Sequence, residues 1–300
     1  MKKLSKEKFE QISSFILSNA RPIDKALYNW YFKSGTIDDF LKELHSFQNS
    51  DGGFGNALEP DFRSPNSTNM STTYAFQYFN ILQTTEIPGL INKAIEYFVT
   101  SYDSMNQRWN PVTSEVNDYP HAIWWQFDPK NSELDSTWGN PTVEIIGYLL
   151  KYGNSFNKRV LKLLQEKMIN RILNADKIEV HELQCYVRML DINSDLNSIV
   201  GEKIDQLVIN TVETDKNKWV GYVTKPSTFI ASPNSRYYKM FEQAYNFELD
   251  QLTEISDSEY CWYPSWNWNS YLDEWAKVKI EIAGMISVRN LIMLHKFGRL

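Results

Sequence analysis

Residues 48–55, with the sequence QNSDGGFG, are the feature that most constrains how this chain folds. A helix-compatible run, LKELHSF at 41–47, ends directly before them. Asp51 can accept hydrogen bonds from nearby backbone amides, and the two glycines after it can adopt a positive φ without a Cβ clash. The chain is therefore predicted to reverse abruptly here in a structural turn, with the ring of Phe54 returning against the helix that has just ended.

Apolar residues recur at helical spacing along the chain, with no convincing run of strands between them. The helical segments predicted on this basis are 9–17, 26–32, 37–47, 74–82, 91–99, 143–150, 160–172, 180–190, 199–209, 241–252 and 278–297. Their number is close to the dozen that about six helical hairpins need. We therefore expect an all-α fold that forms a single domain over residues 1–300.

Composition excludes several classes of partner. The formal net charge of the 300 residues is −6 and no long basic run occurs, which argues against a nucleic-acid partner. No segment approaches the roughly 20 apolar residues of a membrane span. Two cysteines, Cys185 and Cys261, are too few for a disulfide framework, so a cytoplasmic location is expected.

Aromatic residues are abundant, with 10 Trp, 17 Tyr and 16 Phe, and many lie in long connections instead of helical stripes. Aromatic side chains in ordered loops can wall a ligand cavity or seal one end of a helical barrel. We expect Trp124, Trp125 and at least one of Trp262, Trp266 and Trp268 to line one concave surface.

The order of residues in QNSDGGFG resembles the QxxDGxW-type repeat of terpenoid cyclases and the GGF segments of protein prenyltransferase β subunits. The polar loop 56–70 then leads into STTYAFQYFNIL at 71–82, which is similar to the PTYAA-like inner helix of the prenyltransferases. The segments PHAIWW, NPTVEIIGYL, SPNSRYYKMFEQA and HKFGRL look like an uncharacterised bacterial branch of this superfamily. The resemblance implies a single α/α toroid with inner and outer helix rings around a central cavity.

Such a cavity would hold a small, largely apolar, isoprenoid-like ligand, and Tyr74 on the inner helix would contact it. A carbohydrate-active α/α barrel is the alternative, because such barrels also combine tryptophan platforms with paired acids. A scaffold or sensor without catalysis is a third possibility. A polar cavity favours sugars, whereas an apolar one favours isoprenoids.

Candidate charged residues lie in LEPDFRSP, where alternation in an extended segment turns Glu59, Asp61 and Arg63 to one face. Arg63 would lower the pKa of one carboxyl group while burial raises that of the other, which suits catalysis. A structural ion pair is the alternative.

His121 lies beside Trp124 and Trp125 and is a natural general acid or base, unless it only holds its loop together. Glu144 lies near the helix start predicted at Asn140, where its carboxylate either faces a cavity mouth or bonds the preceding loop. We expect Asp61, His121 and Glu144 to handle protons, and Asp61 and His121 to approach one pocket.

Zinc ligands of the prenyltransferase kind would fall on Glu259, Cys261 and His295. The match is poor, because glutamate replaces aspartate, and no metal or cofactor is expected. The DxDD string of squalene-type cyclases is absent, so the usual proton-initiated cyclisation is not expected. These residues leave open whether the chain is an enzyme.

Overall fold

The computed structural model describes residues 1–82, 88–130, 137–153, 155–255 and 260–300. This part of the chain forms eleven α-helices, and its β-type pairing is limited to isolated bridges. The all-α class is therefore confirmed, and each predicted segment overlaps one helix. The helices are α1 Lys6–Asn19, α2 Pro22–Phe32, α3 Ile37–His45, α4 Asn69–Leu82, α5 Pro88–Thr100, α6 Gly139–Tyr152, α7 Lys158–Leu173, α8 Val180–Ile192, α9 Asn197–Thr211, α10 Tyr238–Thr253 and α11 Leu272–Lys296.

Most helices begin a few residues earlier than apolar periodicity predicts, and the largest differences are at α4 and α11. Helix α4 starts five residues before its predicted segment, where Thr68 Oγ1 accepts a hydrogen bond from the backbone N of Ser71 at 3.0 Å. Helix α11 starts six residues early, directly after Tyr271, whose φ is 48°. Helix starts are set by capping and backbone geometry, which apolar periodicity does not report.

The chain divides into two compact units. Residues 1–44 and 212–300 form the first unit, which contains α1, α2, α10 and α11. Residues 45–211 form the second unit, which contains α4 to α9. The expected single toroid domain stays a prediction.

In the second unit, alternate helices along the chain pack side by side. Helix α6 packs against α4 and, more extensively, against α8, while α7 packs against α6 and α9. Helix α6 is buried on all sides from Pro141 to Leu149. A helix that is apolar around most of its circumference has to lie inside a packed unit, so α6 forms the centre of this one.

In the first unit, α1, α2 and α11 pack against one another, and α10 packs against the turn at residues 226–228. The backbone N and Oγ of Ser227 donate to the carboxyl group of Glu248 at 3.0 and 2.5 Å. Burial raises the pKa of Glu248, and the bonds from Ser227 and the charge of Lys225 oppose that shift. Trp268 and Trp275 are both buried, with ring centroids 5.5 Å apart.

The turn at 48–55 joins three parts of the second unit. Gln48 Nε2 donates to the carbonyl oxygens of Gly52 at 2.9 Å and of Leu90 in α5 at 3.0 Å. Asp51 Oδ1 accepts from the backbone N of Gly53 at 3.0 Å and from Ser67 Oγ at 2.7 Å. The motif therefore fixes α5 and the loop before α4 to this turn.

Gly52 is required in this turn for two reasons. Its φ is +89°, and a Cβ there would lie 2.3 Å from the carbonyl oxygen of Lys93. We expect Gly52→Ala to lower the free energy of unfolding by more than about 2 kcal/mol, because the backbone conformation and the overpacking each add a cost. Chemical denaturation would measure it.

Two other glycines provide matched controls. Gly221 also has a positive φ, +71°, but has nothing within 4 Å, so Gly221→Ala should cost only about 1–2 kcal/mol. Gly89 in α5 has open space and no positive φ, so Gly89→Ala should leave stability unchanged or slightly improved. If the Gly52→Ala protein were as stable as the Gly89→Ala protein, the close approach of Gly52 to the Lys93 carbonyl would be contradicted.

Candidate functional site

The two loops that carry Asp61 and His121 lie side by side. Phe62 and His121 form an isolated antiparallel bridge. The backbone N of Ala122 donates to the carbonyl oxygen of Asp61 at 2.8 Å, and that of Arg63 donates to Pro120 at 2.9 Å. Two stretches that are far apart in sequence are therefore joined through their backbones.

The acidic side chains of the first loop are buried. Glu59 Oε2 accepts a hydrogen bond from the backbone N of Asp61 at 2.7 Å, which makes Glu59 part of the loop's own framework. Glu59 and Asp61 are 4% and 8% exposed, and Arg63 is half-buried. Phe62 between them packs into an apolar cluster with Met70, which anchors the loop.

The imidazole of His121 is bonded on both sides. Its Nδ1 lies 2.6 Å from the carbonyl oxygen of Tyr119, to which it donates, and its Nε2 lies 2.8 Å from the side-chain amide of Gln126. The residue is almost completely buried. These contacts fit the interpretation that His121 holds its loop together, and its role in proton transfer stays a prediction.

The adjacent tryptophans have different environments. Trp125 packs edge-on against Phe62, with centroids 5.9 Å apart, and belongs to the apolar cluster. Trp124 and Ile123 on the same short turn are 46% and 65% exposed. Two large apolar side chains therefore face outward next to His121.

Glu144 lies at the junction of three helices and is 1% exposed. Its Oε2 forms an ion pair with Arg188 Nη2 in α8 at 2.8 Å. Its Oε1 accepts from Tyr148 Oη at 2.5 Å and from Gln77 Nε2 in α4 at 3.3 Å. All of these partners are helical residues, and none comes from the loop that precedes α6.

Sequence analysis did not single out the partners of Glu144. Tyr148 lies four residues after it on the same helix, and this spacing was a usable signal. Arg188 and Gln77 lie on other helices, and no local pattern in the sequence connects them to Glu144.

The charges of this cluster reinforce one another. Burial disfavours the Arg188 cation, but the charge of Glu144 holds the pKa of Arg188 above its usual value. Burial and the nearby Glu144 charge raise the pKa of Tyr148 well above its usual value, so it remains a phenol that donates a hydrogen bond. Burial also raises the pKa of the Cys185 thiol, which is therefore not a nucleophile at neutral pH.

A narrow accessible strip runs along α4, which is otherwise buried. Its members are Tyr74, Gln77, Asn80 and Ile81, whose spacing places them on one face of the helix. Met70 lies one turn before Tyr74 and contacts the loop cluster, so the strip extends from the paired loops to Glu144. The axial distance from Met70 to Gln77 is about 10 Å.

Helix α8 presents a similar strip on the other side of Glu144. Gln184, Arg188 and Asp191 are accessible at intervals of three and four residues. The Arg188 side chain is 28% exposed, although its ion-pair partner Glu144 is buried. We call the accessible residues of these two helices, together with Glu144, the α4–α8 face.

The C-terminal tryptophans belong to the first unit. Trp268 is completely buried, whereas Trp262 and Trp266 are half-buried. The backbone N of Trp262 donates to Ser287 Oγ in α11 at 3.2 Å. The surface expected to be shared with Trp124 and Trp125 stays a prediction.

The residues considered as zinc ligands do not form a described site. Cys261 is buried, and the His295 ring packs edge-on against Phe32 with centroids 5.7 Å apart. Glu259 lies outside the described residues. Within the described ranges, no group of three or more His, Cys, Asp or Glu side chains is placed to hold a metal ion.

Among the described residues, no helix combines the length and apolarity that crossing a membrane requires. Comparisons with protein-family models, curated proteins and solved structures find no match to this chain. The resemblance to terpenoid cyclases therefore stays an interpretation of the sequence alone.

The Glu144–Arg188 pair predicts unequal effects for its two partners. Arg188→Met leaves a carboxylate buried without its cation and should lower the free energy of unfolding by about 3 kcal/mol. Glu144→Gln keeps a hydrogen-bonding group in place beside Arg188, whose side chain is 28% exposed, and should cost only about 1 kcal/mol. Urea denaturation of both variants would measure the difference.

The double variant Glu144→Gln/Arg188→Met is the control for this pair. It should lose less than the sum of the single losses, because removing both charges leaves neither uncompensated. Equal losses from the single variants, or strict additivity, would contradict the buried ion pair.

The hydrogen bonds of His121 predict a structural cost. His121→Ala should lower the free energy of unfolding by about 1–3 kcal/mol, because it leaves buried partners unsatisfied. Trp124→Ala on the same turn is the control and should cost less than about 0.5 kcal/mol, since Trp124 is 46% exposed. If thermal melts show His121→Ala to be as stable as the native protein, the imidazole is not a structural link and the acid–base role gains support.

Proposed function

We propose that this protein binds or transforms a small, largely apolar, isoprenoid-like ligand at the α4–α8 face. The observation that carries the proposal is the convergence of three helices on one buried carboxylate, Glu144, beside the accessible side chains of Tyr74 and Arg188. Concave sites usually combine apolar walls with a few polar groups held in position. This face supplies both kinds of group.

The apolar part of the ligand is assigned to the end of the strip near the paired loops. Tyr74 follows Met70 by one turn, and Met70 packs in the cluster that includes Trp125. Trp124 and Ile123 expose apolar surface on the same turn. Glu59 and Arg63 are assigned to the ligand's surroundings.

The polar part of the ligand is assigned to the Glu144–Arg188 pair. In a transformation, the buried Glu144 carboxylate holds the side chains of Arg188 and Gln77 in position for the polar part of the ligand. Asp61 and His121 are the proposed proton-transfer groups, which requires the hydrogen bonds of His121 to open.

The proposal includes an α/α toroid arrangement and a cytoplasmic location. The side-by-side packing of α4, α6 and α8 supports inner helices that alternate with outer ones. Two free, buried cysteines support a reducing compartment. The net charge of −6 supports a small-molecule partner over a nucleic acid.

A carbohydrate ligand is the second candidate, and the polarity of the α4–α8 face favours it. Gln77, Gln184 and Arg188 place two amides and a guanidinium on this accessible surface. Amides and guanidinium groups suit hydroxyl-rich ligands, whereas an isoprenoid leaves most of these donors unused.

Differential scanning fluorimetry with two ligand series separates the candidates. A prenyl alcohol such as farnesol should raise the melting temperature, since a ligand at 100 times its Kd adds about 2.7 kcal/mol of stability. Tyr74→Ala should weaken the response, and Tyr222→Ala, an exposed tyrosine of the first unit, should leave it unchanged.

The other outcomes are equally informative. A response to oligosaccharides such as maltotriose or cellotriose, and none to the prenyl alcohol, would replace the first candidate by the second. An unchanged melting temperature with both series would contradict both candidates and leave the scaffold or sensor interpretation.

A further inference from the structure

A groove in the first unit lies between residues 214–219 and the exposed face of α10. It encloses about 550 Å³ and is lined by both aromatic and polar side chains. Trp219 and Phe247 form an aromatic corner, with ring centroids 5.9 Å apart, and Met240 extends the apolar surface. A hollow of this volume is within the usual range for small-molecule sites.

The wall opposite α10 is held in place by its own hydrogen bonds. Trp219 Nε1 donates to the carbonyl oxygen of Glu213 at 2.9 Å, and the backbone N of Glu213 donates to Thr224 at 2.9 Å. Asp215 Oδ1 accepts from the backbone N of Asn217 at 3.0 Å and from its side-chain amide at 2.9 Å. The aromatic corner is therefore formed before any ligand arrives.

Two ammonium groups lie over these rings. Lys216 Nζ is 4.5 Å from the centroid of Phe247, and Lys225 Nζ is 5.2 Å from the centroid of Trp219. Neither lysine forms a salt bridge within the described ranges of the chain, whereas Lys218 on the same turn pairs with Glu213 at 3.5 Å. Of these two lysines, Lys216 lines the groove, and its cation beside the aromatic corner complements an anionic ligand that carries an apolar group.

The acidic groups nearby have other partners. Asp215, the carboxylate that lines the groove, is bonded to Asn217. Glu248 lies beneath this region on α10, is buried, and accepts hydrogen bonds from Ser227. The amide of Gln243 also lines the groove and is exposed, which leaves it accessible as a further donor to a carboxylate.

We propose that this groove binds a small carboxylate that carries an aromatic ring or a similar apolar group. The apolar group fills the corner between Trp219 and Phe247 beside Met240, and the carboxylate pairs with Lys216. This site uses residues of the first unit alone, so it does not depend on the ligand proposed for the α4–α8 face.

Isothermal titration with 3-phenylpropanoate, and with its neutral amide as the matched ligand, tests this site at low ionic strength. The carboxylate should bind more tightly than the amide by about two- to fivefold for each ammonium group engaged, as exposed ion pairs do. Lys216→Gln should weaken binding of the carboxylate by a similar factor and leave binding of the amide unchanged.

Lys218→Gln is the control variant, because Lys218 lies on the same turn but does not line the groove. It should bind the carboxylate like the native protein. Three results would each overturn the proposal. They are equal affinity for the acid and the amide, no binding of the acid at about 10 mM, and an equal effect of Lys218→Gln and Lys216→Gln. Binding of maltotriose that Lys216→Gln does not affect would assign the groove to a neutral sugar.

Discussion

The second unit depends on the interactions that compensate the buried carboxylate of Glu144. An ionised carboxylate removed from water costs several kcal/mol unless charge and hydrogen bonds compensate it. Here the compensation comes from Arg188, Tyr148 and Gln77, which belong to three different helices. The relative positions of α4, α6 and α8 are therefore fixed by one polar centre as well as by apolar packing.

This arrangement also determines which groups are available for chemistry. Tyr148 and Cys185 have raised pKa values because they are buried beside this charge, so neither ionises near neutral pH. The Arg188 side chain remains partly exposed, although the carboxylate it pairs with is inaccessible. A ligand at the α4–α8 face would therefore contact the accessible part of the Arg188 side chain, with Glu144 acting through it and through the hydrogen-bonded amide of Gln77.

Sequence reasoning could predict what depends on local chemistry. The helices follow from apolar periodicity, and the turn at 48–55 follows from the backbone requirements at Gly52. The partner of Glu144 could not be predicted, because Arg188 lies on another helix and its pairing is set by tertiary packing. The two hydrogen bonds of His121 were also beyond local patterns, since histidine has the same sequence signature whether it is catalytic or structural. The division of the chain into two compact units could not be predicted either, because no linker-like segment in the sequence marks the boundary.

The tryptophans show why residue type alone does not define a site. Trp109 and Trp138 lie in the same long connection as Trp124, yet both are buried and donate to carbonyl oxygens at 2.6 and 2.8 Å, to Phe98 and Gln107 respectively. Their indoles satisfy backbone groups and hold the connection in place, as large buried aromatics commonly do. Trp124 donates no such hydrogen bond within the part of the chain that the structure describes, and it is 46% exposed. The aromatic side chains that can contact a ligand are therefore the ones that the connection leaves accessible, and those that hold it together are not among them.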